Sequence, residues 1–304
     1  MAFPGRPVRD LNTMASDKPR IRLIVNGDDF GQSTSANRAI IRAHREGILT
    51  TASLMVTGNA SDAAIKLARE NPNLGVGIHL VLVRGKSILK PSEIIGLVNQ
   101  RFEFEARPIR AGIRYYLSKS LHPFLRQEIN SQFAEFRLSG LLLDHVNGHM
   151  HFHLHPTVFD MLKRDFKAWN IRAMRLTRDP LLTNLRLSAG RYFYRISHAA
   201  VFARLSGRAV AAMDRRGIAH TDRVFGLLQD GRMTESYLLK LLDNLWPGTF
   251  EIYCHPDEGE HAHELEALCS PRVRAKIEEL GIELIRYQDL VKPRTARPRE
   301  VART

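Results

Sequence analysis

Apolar and polar positions along this chain alternate between two regimes. Short apolar runs are separated by stretches in which apolar residues return every third or fourth position, the spacing of an amphipathic helix. Leu23-Ile24-Val25 reads as a buried strand. Ser33-Thr34-Ser35 offers helix caps for residues 36–46, and Gly47 is a suitable helix stop. Ile48 to Val56 is β-rich, with Ser53-Leu54-Met55-Val56 as its strand. Residues 63–70 form the next helix, broken by Asn71-Pro72-Asn73, and Leu74 to Leu82 is a third strand whose glycines let neighbours approach closely. Strand, helix, strand, helix, strand argues for parallel βαβ units, an α/β fold.

The later chain continues the pattern. Residues 84–110 are polar and punctuated by Gly and Pro, an excursion over the active face. Residues 111–117 and 123–138 read as helices. Leu141 to Val146 leads into a fourth strand through residues 149–155, and Ile171 to Leu176 is a fifth. Thr249 to Pro256 is another strand, 271–280 a helix, and Ile282 to Ile285 a last short strand. No internal repeat is visible. The expected organisation is a flexible extension over 1–18, a single catalytic domain over 19–290, and a disordered basic tail over 291–304.

Candidate chemistry sits at the strand ends. Five of the 13 histidines fall between Asp144 and Pro156, where His149, His151, His153 and His155 alternate with Met150, Phe152 and Leu154. On an extended strand a period of two would line three or four imidazoles along one face. A run interleaved with core-type residues is no expression tag. Leu23-Ile24-Val25 leads into Asp28-Asp29, and adjacent strand residues point opposite ways, so one carboxylate can bind a metal while the other accepts a proton. His79 ends the third strand and His255 the strand from Thr249. In a parallel barrel these ends share one rim. One carboxylate and two imidazoles make a ligand set with open positions for water and substrate, suited to metal-assisted amide hydrolysis. The same triad could serve a non-haem iron oxygenase. No phosphate-binding loop, dinucleotide fingerprint or nucleophile elbow is present.

Charge and composition narrow the setting. The chain has 304 residues, 44% hydrophobic and 25% charged, the composition of a soluble globular protein with no membrane-length apolar run. Residues 1–20 lack the apolar core of a secretory signal. Two cysteines, Cys254 and Cys269, make no disulfide framework and fit a cytoplasmic location. The net charge of +13 favours an acidic partner. Between Phe166 and Ala212, nine basic residues face one acid among large apolar side chains. That mixture reads either as an interfacial segment docking peripherally on anionic membrane at the inner face, or as a pair of ordinary surface helices. Nucleic acid is not expected, since no binding motif accompanies the charge. A homodimer is allowed.

Four motifs in order carry a family resemblance: Ile24-Val25-Asn26-Gly27-Asp28-Asp29-Phe30-Gly31, Gly77-Ile78-His79-Leu80, Gly148-His149-Met150-His151-Phe152-His153 and Cys254-His255-Pro256. Together they resemble the YdjC-like carbohydrate deacetylases from about Arg22 to Asp289. The form of the run from Asn147 to Pro156 is similar to the hopanoid-biosynthesis-associated member of that family. The resemblance implies a modified (β/α) barrel of parallel strands with its active site at the C-terminal rim. It implies a divalent metal, magnesium or zinc, held by Asp29, His79 and His149. Asp28 would then be the catalytic base and His255 an acid or oxyanion stabiliser. The implied substrate is an N-acetylated sugar or glycolipid, such as N-acetylglucosamine on a hopanoid. Asn147 stands where the family commonly has Asp, so no role is carried over to it. The rival readings are a metal-dependent phosphoesterase drawn to anionic substrate, and a non-catalytic membrane-associated binding protein.

Overall fold

Ile21 to Phe30, the first strand β1, is the axis of the structure. Its apolar start is fully buried, and it pairs with more neighbours than any other strand. A computed structural model of the chain describes residues 20–291. The predicted extension over 1–18, and the tail beyond its first residue, lie outside the described residues.

After β1 come α1 (Thr34–Glu46), β2 (Thr51–Leu54), α2 (Ser61–Glu70) and β3 (Gly75–Leu80), in the order the pattern predicts. Ser33 caps α1, its hydroxyl accepting the Ala36 N–H at 3.0 Å. Next are α3 (Pro108–Leu117), α4 (His122–Leu138), β4 (Val146–Gly148), α5 (Pro156–Asp165), α6 (Leu181–Leu187) and α7 (Tyr192–Asp214). The chain closes with β5 (Arg223–Phe225), α8 (Glu235–Asp243), β6 (Gly248–Cys254), α9 (Ala262–Cys269), α10 (Pro271–Glu279) and β7 (Glu283–Leu284). Every ladder is parallel, in the order β4-β3-β2-β1-β6-β5, with β7 beside the first half of β1. This is an incomplete barrel of parallel strands with helices outside.

Two expectations change. The fifth strand, Ile171 to Leu176, forms only single bridges, Val146 to Met174 and Ala173 to Ala219. Those bridges tie the segment to β4 and to Ala219, ahead of β5, without a ladder of its own. β5 was not visible in the sequence, because three residues are too few for a periodicity.

Period two governs every strand, with an unusual assignment of faces. On β1, Leu23, Val25 and Gly27 face α1, while Ile24, Asn26 and Asp28 face the barrel interior. A Cβ on Gly27 would come within 2.9 Å of Ile40, so glycine sets how closely α1 packs. The interior is polar toward the rim: Asn26, Ser53, His79, His145, Asn147, Arg175 and Glu251 are all buried. Gly75 and Gly77 make room for it, since a Cβ there would lie 2.9 Å from the Asp144 carboxyl and 2.5 Å from the His145 ring. Gly77→Ala should therefore overpack the interior and destabilise the fold by about 1–3 kcal/mol. Chemical denaturation measures this; an unchanged midpoint would mean that the His145 ring is free to move aside.

Candidate metal centre

The site begins where β1 stops being regular. Its pairing with β2 shifts between Gly27 and Phe30, and Asp29 takes a left-handed backbone, φ 62°. A bulge of this kind re-aims side chains. The expectation that the two carboxylates point apart is overturned. Both reach the same imidazole: Asp28 Oδ1 lies 3.8 Å from His79 Nδ1, and Asp29 Oδ1 lies 3.3 Å from His79 Nε2.

The histidine run also departs from its predicted strand. β4 ends at Gly148, and residues 149–154 form short 3₁₀ turns broken at Met150 (φ 51°) and His151 (φ 59°). Alternate residues share a face only on extended backbone, so the four imidazoles scatter. His149 Nδ1 lies 3.1 Å from Asp29 Oδ1. His151 bonds the Tyr253 hydroxyl at 2.8 Å, His153 Nε2 donates to the Arg175 carbonyl at 3.2 Å, and His155 Nε2 to the Gly112 carbonyl at 3.0 Å. Only His149 joins the centre.

Asp29, His79 and His149 each offer a ligand atom, and these atoms lie within 4.8 Å of one another. Ligand atoms about 2.1 Å from a shared ion are about 3.0 Å apart at a right angle and about 3.4 Å apart at a tetrahedral angle. The Asp29 distances to both rings, 3.3 and 3.1 Å, match that spacing, so the residues fit a divalent ion. Burial pushes the Asp29 carboxyl up, but the His149 and His79 rings outweigh it and hold it well below the usual carboxylate range.

Asp28 is held differently. Its Oδ2 accepts from Arg175 at 2.6 Å, and its Oδ1 accepts from Arg175, Asn26 and Asn147 at 3.0, 2.8 and 2.9 Å. Burial pushes its carboxyl up; the Arg175 charge, with lesser help from His79, reverses this and keeps it ionised. Arg175 is itself fully buried and also bonds Glu251 at 2.7 Å. Just past the end of β6, the strand beside β1, His255 Nδ1 lies 3.7 Å from Asp230. Burial opposes protonation of His255, yet Asp29, Asp28, Asp230 and Glu264 together raise it above the ordinary histidine value.

Arg175, Asn147 and Asp230 were missed as site residues. Arg175 was counted among nine surface cations, although its place between Met174 and Leu176 in an apolar run already put a charge on a barrel strand. Asn147 shares the inner face of β4 with His145, two residues away, and its carboxamide oxygen accepts from His79 Nδ1 at 2.7 Å. Asp230 follows a short turn that had no sequence signal.

Comparison with known proteins agrees with this architecture. The family model described as YdjC-like protein matches residues 22–279. A carbohydrate deacetylase of Geobacillus stearothermophilus is 29% identical over 283 residues, spanning 88% of this chain and 98% of that protein. The carbohydrate deacetylase of Mus musculus is 28% identical over 311 residues, spanning 90% and 96%. A crystal structure described as a putative cellobiose-phosphate cleavage protein from Enterococcus faecalis V583 superposes with a TM-score of 0.66 at 23% identity, over 90% of this chain and all of that one, and shares its fold. With the match running from β1 through α10, the chain belongs to the YdjC-like protein family.

Proposed function

We propose that this protein is a metal-dependent N-deacetylase that releases acetate from an N-acetylated sugar. One observation carries the reading: a two-imidazole, one-carboxylate cluster lies beside a second carboxylate that Arg175 keeps ionised, with a histidine past the neighbouring strand whose pKa the nearby carboxylates raise. The names of the relatives point to the same chemistry. Asp29, His79 and His149 would hold the ion. Two nitrogens and one oxygen suit zinc directly, whereas magnesium would complete its shell with waters.

A divalent cation bound there supplies Lewis-acid polarisation of the amide carbonyl and a lowered pKa for water. Asp28 accepts the proton of the attacking water. Arg175 keeps it ionised and aimed. His255, whose hold on a proton the nearby carboxylates strengthen, gives a proton to the departing amine as the C–N bond breaks. The sugar would lie in a cleft of about 520 Å³ whose lining includes Gln32 and Val81, three and two residues beyond Asp29 and His79, with Asn59, Arg84, Lys86 and Phe104.

The finer substrate we propose is an N-acetylglucosamine unit on a hopanoid lipid, supported by the form of the 147–156 run. A cytoplasmic protein docking on the inner membrane face fits that substrate. No helix among the described residues is long and apolar enough to cross a membrane. The docking surface differs from the sequence expectation. The stretch between Lys167 and Arg208 builds α6 and α7, but Arg175 and Arg195 point inward and cannot meet lipid. The contact would instead use the start of α7, where Phe193 is 88% exposed beside exposed Tyr192 and Ile196.

Acetate release from N-acetylglucosamine substrates should vanish on chelation and return with zinc or magnesium, with no phosphate released from phosphorylated analogues. Asp28→Asn, assayed folded and metal-replete, should lose about 10²–10⁴-fold in kcat. A near wild-type rate would remove Asp28 as the base. Replacing Tyr192 and Phe193 with Ser should weaken binding to vesicles containing anionic lipid, and equal binding by both proteins would discard this docking face.

A further inference from the structure

The proposed reaction leaves a row of buried polar side chains unused. It starts at His79 and leads away from the rim through Asn147, Ser53 and His145 to Asp144. All five are buried. Each link has a direction that chemistry fixes. Asn147 Nδ2 lies 2.9 Å from Asp28 Oδ1 and 2.8 Å from Ser53 Oγ, so the opposite amide orientation would set its carbonyl oxygen against a carboxylate. The oxygen therefore faces His79 Nδ1, which must carry the proton. A cation would then be met by His79 Nε2, the atom turned to Asp29.

Ser53 Oγ is filled in the same way. It accepts N–H groups from Asn26 at 2.9 Å and from Asn147, which use both lone pairs. Its own hydrogen must go to His145 Nε2 at 3.0 Å. His145 then carries its proton on Nδ1 and donates to Asp144 Oδ2 at 2.9 Å. The other Asp144 oxygen accepts the Gln288 N–H at 2.9 Å. Were His145 protonated on Nε2 instead, Ser53 would face three donors, and one link of the row would break. Gly75 and Gly77, where any side chain would strike Asp144 and His145, leave room for this arrangement.

We propose that Ser53, His145 and Asp144 are positioning residues of the metal centre. They fix the donor direction of every hydrogen bond from Asp144 to His79, and so hold His79 in the tautomer that offers Nε2 to a cation. The proposal rests on Asp29, His79 and His149 being the metal centre. It explains how a neutral Asn147 serves here: a carboxamide must be filled at both ends, and Ser53 fills the second. Groups behind a metal-ligating histidine set its tautomer and orientation, and altering them typically costs about 10–100-fold in metal affinity.

The test uses full-length protein with ¹⁵N-labelled histidine, without metal. Long-range ¹H–¹⁵N spectra assign the His79 tautomer, and chelator competition then measures zinc affinity. Wild type should show a proton on His79 Nδ1. Ser53→Ala should show that proton partly lost from Nδ1 and bind zinc about 10–100-fold more weakly. A Ser53→Ala protein in which His79 Nδ1 stays fully protonated overturns the proposal, as does a wild-type His79 with no proton on Nδ1. If Ser53→Ala does not fold, His145→Phe takes its place, since Phe retains the ring stack on Tyr287 at 4.6 Å. Wild type that binds no zinc would refute the metal reading alone, because the tautomer comparison is made without metal and still decides this proposal.

Discussion

Arg175 is a full positive charge at zero exposure, and the rest of the barrel interior is arranged around it. It bonds Asp28 on the rim side and Glu251 of β6 behind, and its guanidinium carbon sits 4.3 Å above the Tyr253 ring. Glu251 in turn accepts from the Tyr287 hydroxyl, so the ion cluster reaches the last turn of the described chain. Burying such a group is costly unless every charge finds a partner, and removing one member of a buried pair typically costs about 3–5 kcal/mol. The cluster therefore ties β1, β6 and the 171–176 segment together. It also keeps an anionic Asp28 in a place where burial alone would protonate it.

A second consequence is electrostatic balance. One guanidinium faces two carboxylates, and Asp29 adds a third negative group with only imidazoles beside it. These three buried carboxylates thus outnumber the one guanidinium, inside a protein whose net charge is +13. A small cation fits that local balance. The overall basic charge says nothing about the centre.

Much of this was legible in the sequence, for physical reasons that can be named. Strand ends in a parallel barrel converge, so Asp28, Asp29, His79, the 149–155 run and His255 could be placed on one rim from separate apolar runs, while the choice of Asp29, His79 and His149 came from the family resemblance. The continuous apolar run of β1 marked it as a buried strand, and the glycines of β3 pointed to a close approach of neighbours. What escaped depends on backbone angles and on tertiary partners. Left-handed residues at Asp29, Met150 and His151 leave no composition signal, yet they turn both aspartates to His79 and scatter the histidine run. Arg175 and Arg195 looked like surface charge because a sequence does not display the carboxylate or carbonyls that receive them. Asn147 looked like a defect in a pattern until its two amide partners were in view.

The central claim is that Asp29, His79 and His149 hold one divalent ion. A crystal structure of zinc-loaded protein, with anomalous data at the zinc edge, tests it most directly. The account predicts a single strong peak about 2.0–2.2 Å from Asp29 Oδ1, His79 Nε2 and His149 Nδ1. A peak that excludes any of the three side chains, or bonds His79 through Nδ1, would contradict it.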